Sequence, residues 1–232
     1  MQNIKDRILY EDNHLIVINK LPKELVQSDI TQDETLADKV KEYLKVTYNK
    51  KGNVYLGIPH RLDRPTSGIV IFTKTDKALS RLCNAFRENE IKKKYWAVVD
   101  RAPSKSEGTL VHYLMRDTKK NKSFASLVKK KNTKEAKLSY KLIGASKSFY
   151  LLEIDLHTGR HHQIRAQLAT MNVHIKGDLK YGFPRSNKDG GICLHAREVS
   201  FIHPIKKEQI TLVANPPKDV VWDYFVKAVS SS

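Results

Sequence analysis

One acidic side chain stands where chemistry is expected: Asp63, within the stretch HRLDRPTSG from His60 to Gly68. Arg61 and Arg64 bracket it, and Pro65, Ser67 and Gly68 follow with the residue types of a turn. A carboxylate on a loop that leads into a rigid strand is well placed for catalysis. Taken by itself, an Asp between arginines is more often a local ion pair capping a turn, worth about 0–1 kcal/mol at a surface. A second concentration of reactive groups is His157, His161 and His162. Zinc wants about three ligands converging on one face, whereas His161 and His162 are neighbours that diverge on a helix with no acidic ligand beside them. No metal site is expected there.

The elements that must hold these groups can be read from periodicity. Ile69, Val70, Ile71 and Phe72, directly behind the turn, read as a buried strand. His14 to Asn19 reads as an earlier strand, broken at Lys20-Leu21-Pro22. Between Glu34 and Tyr48, Leu36, Val40, Tyr43 and Leu44 recur at helical spacing. A second helix starts at Thr75 or Asp76, with Leu79, Leu82, Cys83 and Phe86 as its apolar face. Tyr95 to Val99 is the next strand, and Leu138 to Ile143 and Phe149 to Leu156 alternate well enough to be two more. His161 to Met171 is predicted helical, with Ile164, Leu168 and Met171 inward. Strands are expected around Ile192 to Ala196 and Ile210 to Val213, and Trp222, Tyr224 and Phe225 are expected to dock a terminal helix.

The chain of 232 residues is long enough to bury a real core, and 40% hydrophobic with 29% charged residues is ordinary for a globular protein. The charge is not ordinary: 42 Lys plus Arg against 25 Asp plus Glu give a formal +17. That excess points to a polyanionic partner, nucleic acid or an anionic membrane. Residues 116 to 137 alone carry eight lysines, which are either a solvated hairpin or an arm that tracks phosphates. Cys83 and Cys193 form no CxxC pair, so a zinc ribbon or disulfide framework is not expected. Cys83 is expected to pack. The amino end carries no signal-peptide core, and no apolar run is long enough to span a bilayer, so a cytoplasmic location is expected. There is no repeat and no Gly/Ser linker, and residues 1–232 are read as a single catalytic domain.

Several stretches together resemble the RluA-type RNA pseudouridine synthase family. They are HRLDRPTSG, ILYEDNHLIVINK (residues 8 to 20), KKYWAVV (Lys93 to Val99), HTGRHHQIRAQL (His157 to Leu168), GDLKYG (Gly177 to Gly182) and LHAREVSFIHP (Leu194 to Pro204). They stand in the family's order and span the chain from Ile8 to Pro204. The match departs from the family at Lys20-Leu21-Pro22-Lys23, where the usual pattern is Lys-Pro-x-Gly. The resemblance implies an α+β fold, a central, mostly antiparallel mixed sheet flanked by helices. It implies no extra RNA-binding domain before the catalytic one.

It also implies a reaction: breaking the bond from nitrogen 1 of uracil to the sugar, turning the base, and rejoining through carbon 5. Nothing is oxidised or added, so no cofactor is expected, in keeping with a sequence that lacks a dinucleotide fingerprint or P-loop. By resemblance Asp63 is the catalytic carboxylate, by attack on the sugar, addition to the base or loss of a sugar proton. Arg165 is the ion-pair partner that favours its charged form. Tyr95 lines the target base, offering a ring to stack and a hydroxyl for proton handling. Arg61 fills the space left by the extruded base. Arg64, Lys129, Lys130, Lys131, Arg160 and His162 are expected to contact RNA, ribosomal or transfer, and the protein is expected to be a monomer. The rival class is a catalytically silent RNA-binding or assembly factor on the same scaffold, which would have no need of Asp63, Tyr95 and Arg165 together.

Overall fold

The computed structural model describes residues 3–28 and 33–230, and the chain divides into two compact units. The first comprises residues up to Ile91 together with Ala196–Asn215. Its strands are β1 (Ile8–Glu11), β2 (Leu15–Lys20) and β3 (Ser67–Thr73), with β9 (Leu194–Ile202, from Ala196 on) and β10 (Gln209–Val213). They lie in the order β1-β2-β3-β9-β10, with β1–β2, β2–β3 and β9–β10 antiparallel. All seven residues of β3 are buried because helices cover both faces of the sheet. Ile16, Ile18, Val70 and Phe72 pack with Leu36, Val40 and Leu44 of α1 (Leu36–Thr47). The alternate residues Leu15, Val17, Ile69 and Ile71 meet Ala78 and Leu82 of α2 (Asp76–Arg87). A period-2 strand thus feeds two opposite cores. Thr35 caps α1 in a reciprocal box with Asp38, and of the two caps the sequence offered for α2, Thr75 is the one used.

The second unit comprises Lys92–His195 with the chain from Pro216 on. It holds β4 (Lys92–Val99), β5 (Glu107–Asp117), β6 (Lys122–Ser126), β7 (Lys134–Ala145) and β8 (Tyr150–Leu156). Their order is β4-β8-β7-β5-β6, every neighbouring pair antiparallel. Helix α3 (Gln163–Thr170) covers one face through Ile164 and Leu168, which pack with Ala97, Val99, Leu152 and Ile154. Helix α4 (Val220–Ser230) covers the other through Trp222 and Phe225, against Trp96, Val98 and Leu151.

Two sequence expectations change, and one strand escapes the sequence reading. Cys83 is exposed, because Ala78, Leu82 and Phe86 define the buried arc of α2 and one further residue turns about 100° away from it. Tyr224 is half exposed, its ring edge-to-face with Phe225 at 5.2 Å and its hydroxyl donating to the Ala145 carbonyl at 3.1 Å. Strand β5 escapes the periodicity reading because its inward face carries His112 between Leu110 and Leu114. That histidine is satisfied by Gln167 at 3.1 Å and Thr170 at 3.3 Å from α3, so a polar residue is affordable on a core face.

Candidate active site

Asp63 sits at the head of a turn in which its carbonyl accepts the Thr66 N–H at 3.0 Å. Three anchors hold that turn to the sheet of the first unit. His60 stacks on Phe86, ring centroids 4.5 Å apart, and its Nε2 accepts the Ile71 N–H at 2.9 Å. Gly68 has φ +114°, and any Cβ there would strike the Ala196 backbone, so glycine is required where β3 begins. The third anchor is Lys20, whose residue is 0% exposed. Its Nζ donates to the carbonyls of Leu21 (3.0 Å), Arg64 (3.1 Å) and Thr66 (2.6 Å). Burial pushes its pKa down to about 7, opposed by the carboxylates of Glu24 and Asp63. An ammonium has three N–H groups for three carbonyls, so the charged form leaves none of them unpaired.

The irregular segment after Lys20 is held by Glu24. Its carboxylate takes a fork from Arg7 (2.6 and 3.2 Å), the Leu21 N–H (3.0 Å) and Lys39 (3.1 Å). Burial alone would raise the Glu24 pKa; the Arg7 bonds override it and hold the carboxyl below its usual range. Lys23, at the position the family usually gives to glycine, keeps a left-handed backbone with φ 68°. A non-glycine residue thus carries the left-handed conformation at this turn.

Of the other expected contacts in this unit, Arg61 is exposed. Arg64 is also exposed but tied back, to Asp33 at 2.8 Å and to the Lys23 carbonyl at 3.1 Å.

In the second unit, Tyr95 lies on the α3 side of β4, partly buried against the core that holds Ala97, Val99 and Leu168. Arg165 is inside, 5% exposed, and forks onto Asp178 through Nε (2.7 Å) and Nη2 (2.8 Å). Its guanidinium also lies 5.0 Å from the centroid of the Tyr181 ring. Asp178 and Tyr181 both come from GDLKYG, a stretch visible in the sequence but with no role assignable there. They fix the plane and position of Arg165. The Tyr181 hydroxyl accepts the Ser123 N–H at 2.8 Å and donates to the Ser123 carbonyl at 3.0 Å, tying this group to β6.

The histidines are spread over separate tasks. His161 bonds Ser123 Oγ at 2.9 Å and Asn121 at 3.1 Å, while His157 bonds Ser139 Oγ at 2.9 Å. His162, expected at the RNA surface, is instead 8% exposed, left-handed at φ 52°, stacked on His161 and 3.1 Å from the Tyr181 hydroxyl. Burial, with the Arg165 charge nearby, pushes its pKa down to about 2. A neutral, enclosed ring shapes the turn into α3 and offers no cation to phosphate. Arg160 is exposed, its Nε on the Glu135 carbonyl at 3.0 Å, and Lys129, Lys130 and Lys131 project from the β6–β7 loop. Among the described residues no group of His, Cys, Asp and Glu is gathered to hold a metal ion, and no helix is long and apolar enough to cross a membrane.

The chain is similar to known proteins. The RNA pseudouridylate synthase family matches residues 14–170. The ribosomal large subunit pseudouridine synthase D of Zymomonas mobilis is 31% identical over 94% of this chain and 72% of its own length. The tRNA pseudouridine synthase C of Vibrio parahaemolyticus is 29% identical over 93% and 92%. The solved structure of human RNA pseudouridylate synthase domain containing 4 superposes with a TM-score of 0.79 over 98% of this chain and 94% of that one, at 23% identity. The fold is therefore α+β, the mixed, mostly antiparallel sheet with flanking helices of pseudouridine synthases. This chain belongs to the RNA pseudouridylate synthase family, within its RluA-type branch. The class is one of isomerases acting on RNA.

Proposed function

We propose that this protein isomerises particular uridines of structured ribosomal or transfer RNA, as a monomer in the cytoplasm, with Asp63 as its catalytic carboxylate. The observation that supports this most directly is the built support of the Asp63 turn, with a wholly buried lysine spent on the carbonyls of Arg64 and Thr66. A surface ion pair needs no such foundation. Arg165, held in plane by Asp178, supplies a fixed guanidinium to the chemistry, and Tyr95 lies against the extruded base. The isomerisation breaks the bond from nitrogen 1 to the sugar, forms the bond from carbon 5, and moves one proton from carbon 5 to nitrogen 1. The Tyr95 hydroxyl is the group suited to that proton. Arg61 enters the space the base leaves, and Arg160 with Lys129, Lys130 and Lys131 meets phosphates. All of this is carried by residues 1–232 as a single catalytic domain.

The test is Asp63→Asn, nearly isosteric and lacking only charge and nucleophilicity. Pseudouridine formation is expected to fall by more than about a hundredfold, with RNA affinity and unfolding midpoint unchanged. Turnover within about tenfold of wild type would remove Asp63 from its role. Mapping pseudouridines in total RNA with and without the protein identifies the substrate, and an unchanged map would favour the silent RNA-binding reading.

A further inference from the structure

We propose that the solvent face of the β5–β6 hairpin is a stacking site for unpaired RNA bases, with Phe124 as its platform. The inference rests on the reading of the chain as an RNA-modifying enzyme and names a substrate feature that reading leaves open.

Residues of β5 alternate: His112 and Leu114 turn inward, while Val111 and Met115 are 44% and 43% exposed. In register with Met115, on the neighbouring strand, Phe124 is 40% exposed. The chain then continues into Leu127 and Val128, both largely exposed. Single exposed apolar residues need no explanation, but a cross-strand pair that runs on into an apolar loop marks a docking face. β6 also ends the sheet order, so this face lies at a sheet edge.

The surroundings select the occupant. Residues 116–137 carry eight lysines and Arg116 against Asp117 and Glu135. An apolar protein surface would have to desolvate those ammonium groups, whereas single-stranded RNA satisfies both parts, phosphates on lysines and a base on the ring. Lys122 Nζ stands 5.6 Å from the Phe124 centroid and 4.8 Å from that of Tyr181, whose ring also carries Arg165 at 5.0 Å. Three cation–ring contacts, joined at Lys122 and Tyr181, therefore link the exposed platform to Arg165, and a base on Phe124 belongs to a nucleotide flanking the one that reaches that arginine. In a duplex the base faces are closed by stacking, so only an unpaired segment can use the platform.

The experiment titrates the full chain into a labelled oligouridylate of about ten nucleotides, and into a duplex of the same length. Phe124→Ala should weaken single-strand binding by roughly five- to a hundredfold and leave duplex binding unchanged. Phe124→Tyr, which keeps the ring, should restore it. The slope of log affinity against log salt should not move, because a ring releases no counterions. Should the alanine variant fail to fold by its urea transition, Phe124→Leu, apolar but ringless, is expected to show the same loss. Single-strand affinity within about twofold of wild type, or an equal loss on both probes, overturns the stacking site while leaving the enzyme reading intact. Wild type binding neither probe counts against RNA action itself and removes the stacking site with it. Self-association of the wild type in sedimentation, abolished by Phe124→Ala, would assign the face to a second copy of the chain and overturn the proposal.

Discussion

Replacing Lys20 by Met should damage both the stability of the protein and the geometry of its Asp63 turn. Met has similar length and no charge, so the cavity stays filled while the carbonyls of Leu21, Arg64 and Thr66 lose their shared donor. Hydrogen bonds to a charged group contribute roughly 1.5–3 kcal/mol each, about 4–9 kcal/mol for three. Against this stands relief from burying the ammonium. A pKa driven from 10.5 to about 7 corresponds to roughly 5 kcal/mol of penalty on the charged form. The difference runs from about −1 to about 4 kcal/mol, centred on a loss of roughly 1–2 kcal/mol in urea unfolding followed by circular dichroism. Because two of the carbonyls lie one and three residues beyond Asp63, turnover at saturating RNA should fall by about tenfold or more, with RNA affinity little changed. The lowered pKa supplies a second readout. Between about pH 7 and 10.5 the unfolded chain holds the proton that folded Lys20 sheds, so the wild type gains stability as pH rises through that window. The gain is complete above 10.5 and gone below about 7. The Met variant should lack it. Stability within about 0.5 kcal/mol of wild type, with the same pH slope, would refute this account of the turn.

Three further outcomes are expected. His162→Asn keeps a residue that tolerates the left-handed turn but removes a buried neutral imidazole; unfolded histidine gains a proton below about 6.5, so wild-type stability should fall by up to about 1.4 kcal/mol per pH unit on acidification. Urea unfolding at pH 7, 5 and 4 should show a slope flatter by up to about one proton in the variant, and identical slopes would contradict the burial argument. Lys23→Gly relieves a left-handed non-glycine residue while keeping its carbonyl for Arg64, and should raise stability by about 0.5–1 kcal/mol; no gain in the urea midpoint would mean the backbone there is unstrained. Converting Lys129, Lys130 and Lys131 to Gln should weaken RNA binding and flatten the log–log salt slope by roughly 2–3 units with little effect on the saturated rate; an unchanged slope would make the loop a solvated hairpin tip.

What the sequence determines here is whatever depends on neighbours along the chain. A run such as Ile69–Phe72 must be covered on both faces, so β3 and its two flanking cores follow from it. Thr75 announces its helix because a cap acts within three residues. The ordered motifs mark the family and bring Asp63, Tyr95 and Arg165 to notice, since they are local strings. Tertiary structure alone decided which polar groups meet. Lys20 reads only as a strand end, yet its three acceptors include carbonyls 44 and 46 residues away. Asp178 gave no sign that it would fork onto Arg165. Glu24 gave no sign that Arg7 and Lys39 would meet it, and Lys23 none of its left-handed backbone. Strand β5 hides behind His112, whose partners lie 55 and 58 residues on. The reason is common to all four: apolar burial is non-directional and leaves a periodic trace, whereas a hydrogen bond needs one partner at one distance and angle, which only chain closure supplies.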